Sequence, residues 1–158
     1  ETFSDFGAAD AQLLAKWGRI REIRDGVNKL IELQRSEGKI GASLQAEITI
    51  YAGNSNVEWL ESFGHDLKYI FITSKVTIKS YSINDGKILG QFIGNFGPLS
   101  TDPKNHPSIQ CDVMPSTHQK CERCWHYCDD LGENNEHPTI CGRCLSNLFS
   151  AGEIRDVA

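Results

Sequence analysis

The sequence predicts an α+β fold: an N-terminal amphipathic helix feeding a small mixed sheet with one packed helix, followed by a small cysteine-rich unit. Three patterns predict it. Apolar residues recur at helical spacing from Ala11 to Ser36, alternation of period two takes over from Leu44, and Cys-x-x-Cys occurs twice near the C-terminal end.

In the first segment Leu13, Trp17, Ile20, Val27 and Ile31 fall three, four or seven positions apart, which lines them along one helical face. Asp10 is placed to cap this helix and Gly38 to stop it. Arg19, Arg24, Lys29 and Arg35 lie largely off the apolar stripe and read as a solvated face paired with Glu22, Asp25 and Glu32. Trp17, on the stripe, is expected in the core.

After the turn at 37–43, Leu44, Ala46, Ile48 and Ile50 alternate with Gln45, Glu47, Thr49 and Tyr51, the mark of a half-buried strand. Gly53 to Asn56 makes a turn, and Val57, Leu60 and Phe63 give a short helix ending near Gly64. Tyr69 to Thr73 and Val76 to Tyr81 are both expected as strands, joined as a hairpin or as two parts of one bent strand. Asp85-Gly86 turns the chain into a final strand, Lys87 to Phe96, which Gly90 and Gly94 place at a sheet edge or in a bulge. Pro98, Pro103, Pro107 and Pro115 then mark a linker. The expected organisation is therefore a helical region at 1–40, an α/β module at 41–97, a linker at 98–116 and a terminal unit at 117–158.

Sixteen residues separate the pairs Cys121/Cys124 and Cys141/Cys144, a spacing suited to a four-thiolate zinc site. Four protein ligands leave no open position, so the zinc is expected to be structural rather than hydrolytic. A disulfide framework is the rival, but nothing in the sequence marks a secretory context. Cys128, His126 and His137 lie within reach of the site and are read as bystanders, and Cys111 as a free thiol. A segment as short as 117–158 cannot bury a core unaided, since below about 40 residues a metal or disulfide is usually needed. Structural zinc can supply an apparent free energy of about 10–16 kcal/mol in small peptides, which makes metal binding and folding one equilibrium. Leu145, Leu148 and Phe149 are spaced to form a helix over the metal.

The 158 residues suffice for one ordinary domain and a small appendage, and too few for a large enzyme. No apolar run approaches the 18 or so residues of a membrane span, so the chain is expected to be a cytoplasmic monomer without membrane contact. Starting at Glu1 rather than Met, it reads as a piece of something longer. A net charge of −5 argues against a bulk polyelectrolyte partner. From 111 to 158 only Lys120, Arg123, Arg143 and Arg155 oppose eight carboxylates, so nucleic acid would be met by a few placed residues.

The run CERCWHY, with CGRC followed by LSNL, closely resembles the C-terminal zinc finger of bacterial isoleucyl-tRNA synthetases. Upstream, Trp17, Ile20, Arg24, Val27, Lys29, Glu32 and Arg35, continuing through Ile40-Gly41 to Ala46, are similar to the end of that family's anticodon-binding helical region as it enters a C-terminal α/β module. The resemblance implies a class I ligase that activates isoleucine with ATP and esterifies it to tRNA(Ile), with one structural Zn²⁺. The His-x-Gly-His and Lys-Met-Ser-Lys-Ser signatures are absent from these residues, so no catalytic residue is expected here and ATP would belong to the parent enzyme alone. The implied partners are the anticodon stem-loop of tRNA(Ile) and the remaining synthetase domains.

Trp125, next to Cys124, either stacks on an anticodon-loop base or covers the metal against Leu148 or Phe149; Arg123 and Arg143 are candidates for phosphate or base-edge contacts. Two other functions use the same cysteines: a zinc-shaped protein-interaction module and the DNA-gripping finger of a formamidopyrimidine-DNA glycosylase. The acidic last third favours the first, while the helix-then-sheet order upstream does not suit the second.

Overall fold

The computed structural model describes residues 11–81, 90–95 and 107–152. A long helix, α1 (Ala11–Ser36), lies against a four-stranded mixed sheet, and a small two-stranded unit with one helix follows. The sheet contains β1 (Ala46–Ala52), β2 (Lys75–Ser80), β3 (Gln91–Asn95) and β4 (Ser108–Pro115) in the order β2-β1-β4-β3. β1 runs parallel to β2 and antiparallel to β4. The parallel pair needs a crossover, supplied by α2 (Asn54–Glu61) and α3 (Leu67–Phe71).

Ile20, Ile23, Val27 and Ile31 of α1 are buried against Ile48 and Ile50 of β1 and Ile109, Cys111 and Val113 of β4 in one apolar core. Ala46, Ile48, Ile50 and Ala52 are buried in strict alternation, as the sequence pattern requires. Trp17 packs edge-on to Phe63, with ring centroids 6.3 Å apart, whereas Leu13 stays exposed. Helix α1 approaches β3 so closely that a Cβ on Gly26 would stand 2.8 Å from Ile93 Cβ.

Two expectations fail here. Tyr69–Thr73 is not a strand. Leu67–Phe71 is helical, burying Leu67 and Phe71 one turn apart, and ends where Ile72 adopts a left-handed φ of 56°. A short aromatic and β-branched run does not separate strand from helix by periodicity, and burial on the β1–β2 crossover decided the matter. Nor is 98–116 a linker throughout: residues 108–115 form β4, paired on both sides near the middle of the sheet. Pro107 and Pro115 bracket that strand rather than interrupt it, and Ile109, Cys111 and Val113 alternate inward between them. The expected final strand is present as β3, at the sheet edge and with a register shift between Phe92 and Gly94, where the glycine pattern placed it. Residues 87–89 and 96 of that expectation, the turn at Asp85-Gly86 and the proposed cap Asp10 lie outside the described residues.

Candidate metal centre

The chain leaves β4 at Pro115 and forms a short ribbon, β5 (Gln119–Lys120) pairing antiparallel with β6 (Tyr127–Cys128). Cys121 and Cys124 sit on the turn between these strands. The turn is closed by hydrogen bonds from the Cys121 N–H to the His126 carbonyl, 2.9 Å, and from the Trp125 N–H to the Cys121 carbonyl, 3.0 Å. Trp125 reverses the chain with a left-handed φ of 67°. The second pair flanks the start of α4 (Gly142–Phe149): Cys141 immediately precedes the helix and Cys144 lies in its first turn. Asp130 Oδ2 accepts the Gly142 N–H at 2.7 Å, so a carboxylate from the intervening loop fixes the positive end of α4 beside the cysteines.

These four sulfurs lie within 4.8 Å of one another. Cys121 Sγ is 3.8 Å from Cys144 Sγ, and Cys124 Sγ is 3.7 Å from Cys141 Sγ, so neither pair is bonded. Ligand sulfurs about 2.3 Å from one ion at the corners of a tetrahedron are about 3.8 Å apart, so the donor set fits Zn²⁺. Cys121, Cys141 and Cys144 are buried and Cys124 is half-buried, with Leu131 and Ile140 packed against them.

The electrostatics fit a cation as well. Burial raises the Cys121 thiol, but backbone N–H groups of Cys124, Cys141 and Arg123 outweigh it and bring it down to about 6. Burial holds the Cys124 and Cys141 thiols above their ordinary value. Bound zinc would stabilise all four as thiolates and tie the two halves of the unit together. Arg123 adds positive charge through Nη1, 3.7 Å from Cys144 Sγ.

The three neighbours read as bystanders lie outside this set. The Cys128 thiol faces the His126 carbonyl at 3.7 Å and is pushed up to about 12, chiefly by burial. His126 Nδ1 lies 3.2 Å from the Cys124 carbonyl oxygen, and its ring meets Tyr69 edge-on. His137 stacks on Phe149, with centroids 4.6 Å apart.

Trp125 is 59% exposed, and Leu148 and Phe149 are exposed too, so the apolar cover of the sulfurs comes from Leu131 and Ile140 instead. Lys120 Nζ lies over the indole at 5.0 Å. Arg143 is turned toward the sheet module, its guanidinium 4.7 Å from the Tyr69 ring centroid. The docking of the ribbon on the module was not legible in sequence. Ser74 Oγ accepts the Tyr127 N–H at 2.6 Å while donating to the Leu44 carbonyl, and Ser116 Oγ donates to Glu47 at 2.6 Å. Nothing about an isolated serine marks it as a bridge. Its partner is known only once the fold is.

Residues 119–147 match the family described as "Zinc finger found in FPG and IleRS". The chain is 42% identical to an isoleucine–tRNA ligase of Burkholderia cenocepacia over 151 residues, 96% of its own length and 14% of the relative's. It is 45% identical to the enzyme of Cupriavidus necator over 154 residues, again 14% of that protein, and 41% identical to that of Burkholderia vietnamiensis. The chain thus spans about one seventh of the length of these relatives. Over 96% of its length it is similar to the C-terminal region of bacterial isoleucine–tRNA ligases, and its last part carries the zinc finger found in FPG and IleRS.

Proposed function

We propose that this chain is the tRNA-gripping C-terminal region of an isoleucine–tRNA ligase, holding the anticodon end of tRNA(Ile). Domains outside these residues would activate isoleucine with ATP, transfer it and edit. One observation carries the reading: Trp125 is held in a left-handed backbone on a metal-braced turn, with 59% of its surface exposed. Single-stranded RNA is recognised by unstacked bases lying on aromatic planes, and a platform fixed by a closed metal site costs little ordering on binding.

In this reading Trp125 stacks on an anticodon-loop base, and Arg123, exposed at the same turn, meets phosphate while Nη1 faces Cys144. Arg143 lies over Tyr69, and we assign it to positioning the knuckle as well as to phosphate. The zinc ligands Cys121, Cys124, Cys141 and Cys144 support this surface and take no part in chemistry. The isolated chain is expected to be inactive in aminoacylation and to reside in the cytoplasm; among the described residues no helix is long and apolar enough to cross a membrane.

Binding of the chain to cognate and non-cognate tRNA, with and without a chelator, tests the proposal. Cognate binding that falls when zinc is withdrawn supports it. A zinc-loaded chain that binds neither tRNA overturns it.

A further inference from the structure

The helices α1, α2 and α3 all lie on one side of the sheet. Leu60 of α2 and Leu67 and Phe71 of α3 share the core that α1 forms with Ala46, Ile48, Ile50 and Ala52 of β1. Side chains alternate across a strand, so Tyr51 and its neighbours at 47 and 49 point to the opposite face, which carries none of these helices. Register sets four residues of that face in one row across all four strands: Lys79 pairs with Tyr51, Tyr51 with Gln110, and Gln110 with Phe92. Phe92 is 62% exposed, Lys79 is exposed and Tyr51 is half-buried. Two strand spacings, about 10 Å, separate Tyr51 from Phe92. Gln110, between them in register, is held by the Gly90 N–H, which its Oε1 accepts at 3.2 Å.

The carboxylates of this face stand elsewhere on it. Asp112 and Glu47 lie in the two rows nearer the zinc unit, and Glu47 is engaged by Ser116 Oγ. The row of Tyr51 and Phe92 holds no carboxylate, and among the described residues its Lys79 makes no ion pair or hydrogen bond. Aromatic side chains on the open face of a four-stranded sheet can stack unpaired bases. Two rings, an amide and one cation, beside the threonine pair Thr49 and Thr77, suit stacked bases and the phosphate between them. The apolar centre of a protein interface has a different composition.

We infer that this row is a second RNA platform. Unpaired bases of the tRNA stack on Tyr51 and Phe92, Gln110 meets a base edge and Lys79 a phosphate. The inference rests on the RNA-binding reading and extends its surface from Trp125 onto the sheet, whose open face is tied to the start of the zinc unit by Ser116 and Glu47.

The test is titration of the zinc-loaded chain with tRNA(Ile). One base stacked on an aromatic ring is worth about 5- to 150-fold in affinity. Phe92→Leu keeps the apolar bulk at an exposed position but removes the ring, and should weaken binding at least about fivefold, whereas Phe92→Trp should bind as wild type does. Lys79→Gln should lower the slope of log affinity against log salt by about 0.7, the share of one phosphate contact on a single strand. Met114→Gln is the control, exposed on the same face two rows away, and should bind as wild type does. Unchanged affinity in Phe92→Leu, or an unchanged slope in Lys79→Gln, with wild type binding normally, overturns the platform and leaves the RNA-binding reading standing. A loss in Phe92→Trp or Met114→Gln equal to that in Phe92→Leu also overturns it, as a general effect of altering the face. If wild type itself does not bind, both readings fall.

Discussion

Arg143 lies over the face of Tyr69, its guanidinium carbon 4.7 Å from the ring centroid, and so joins the first turn of α4, between the last two cysteines, to helix α3 of the sheet module. A cation–aromatic contact of this kind contributes about 0.5–1 kcal/mol where it is exposed and about 2 kcal/mol where it is desolvated. In a double-mutant cycle of Arg143→Gln and Tyr69→Leu the coupling should be about 1 kcal/mol, read from denaturant unfolding of the zinc-loaded chain. A coupling near zero would mean that Ser74, Ser116 and Glu47 hold the ribbon without this pair.

The metal centre depends on Asp130 and Gly142 together. A Cβ on Gly142 would stand 2.8 Å from Asp130 Oδ2, so Gly142→Ala must displace the carboxylate that accepts the Gly142 N–H. Loss of a helix-capping interaction of this sort costs about 1 kcal/mol. Because zinc binding and folding of the ribbon are linked, Asp130→Ala and Gly142→Ala should each weaken zinc affinity by roughly five- to tenfold, measured by chelator competition. Their combination should cost no more than the worse of the two.

Cys111 gives a pH signature separate from the metal. It is buried in β4, and burial, assisted by Asp112, pushes its thiol up to about 12 from 9.0. A folded-state value above the unfolded one means that the folded chain keeps a proton the unfolded chain has lost. The stability from the neutral thiol is complete below pH 9 and is lost between about 9 and about 12. Unfolding midpoints measured at pH 8 and pH 10.5 should therefore fall more in wild type than in Cys111→Val. An equal fall in both would assign the alkaline loss to other groups.

These residues also show what sequence can and cannot carry. The four cysteines, the alternation of β1 and the glycines of β3 were legible because each signal is local: ligand spacing, strand period and backbone permissiveness belong to short stretches. β4 was obscured because Pro107 and Pro115 read as breaks, although a proline at the end of a strand ends it without preventing it. α3 was obscured because five residues are too few for a period. Arg143 pointed toward RNA in the sequence, since nothing near it in the chain announces Tyr69. Contacts of that kind exist only after the crossover and the ribbon have folded against each other.

Trp125 offers the sharpest separation of stability from binding. A bulky residue at φ 67° occupies the left-handed region that costs a side chain about 1–2 kcal/mol and a glycine almost nothing. Trp125→Ala and Trp125→Gly both remove the indole and differ only in the Cβ that bears the strain. Glycine's greater freedom in the unfolded chain offsets part of the relief, about 0.5–1 kcal/mol. Trp125→Gly should therefore be as stable as Trp125→Ala or more stable by up to about 1.5 kcal/mol, with zinc retained in both. For tRNA the two should be equally poor, each losing about 1–3 kcal/mol, the worth of one base stacked on an aromatic ring. Thermal unfolding and tRNA titration on the same zinc-loaded samples check both halves. If tRNA affinity survives in both variants, the exposed indole is not an RNA platform. If affinity falls only where zinc is lost, Trp125 acts through the metal site and not on RNA.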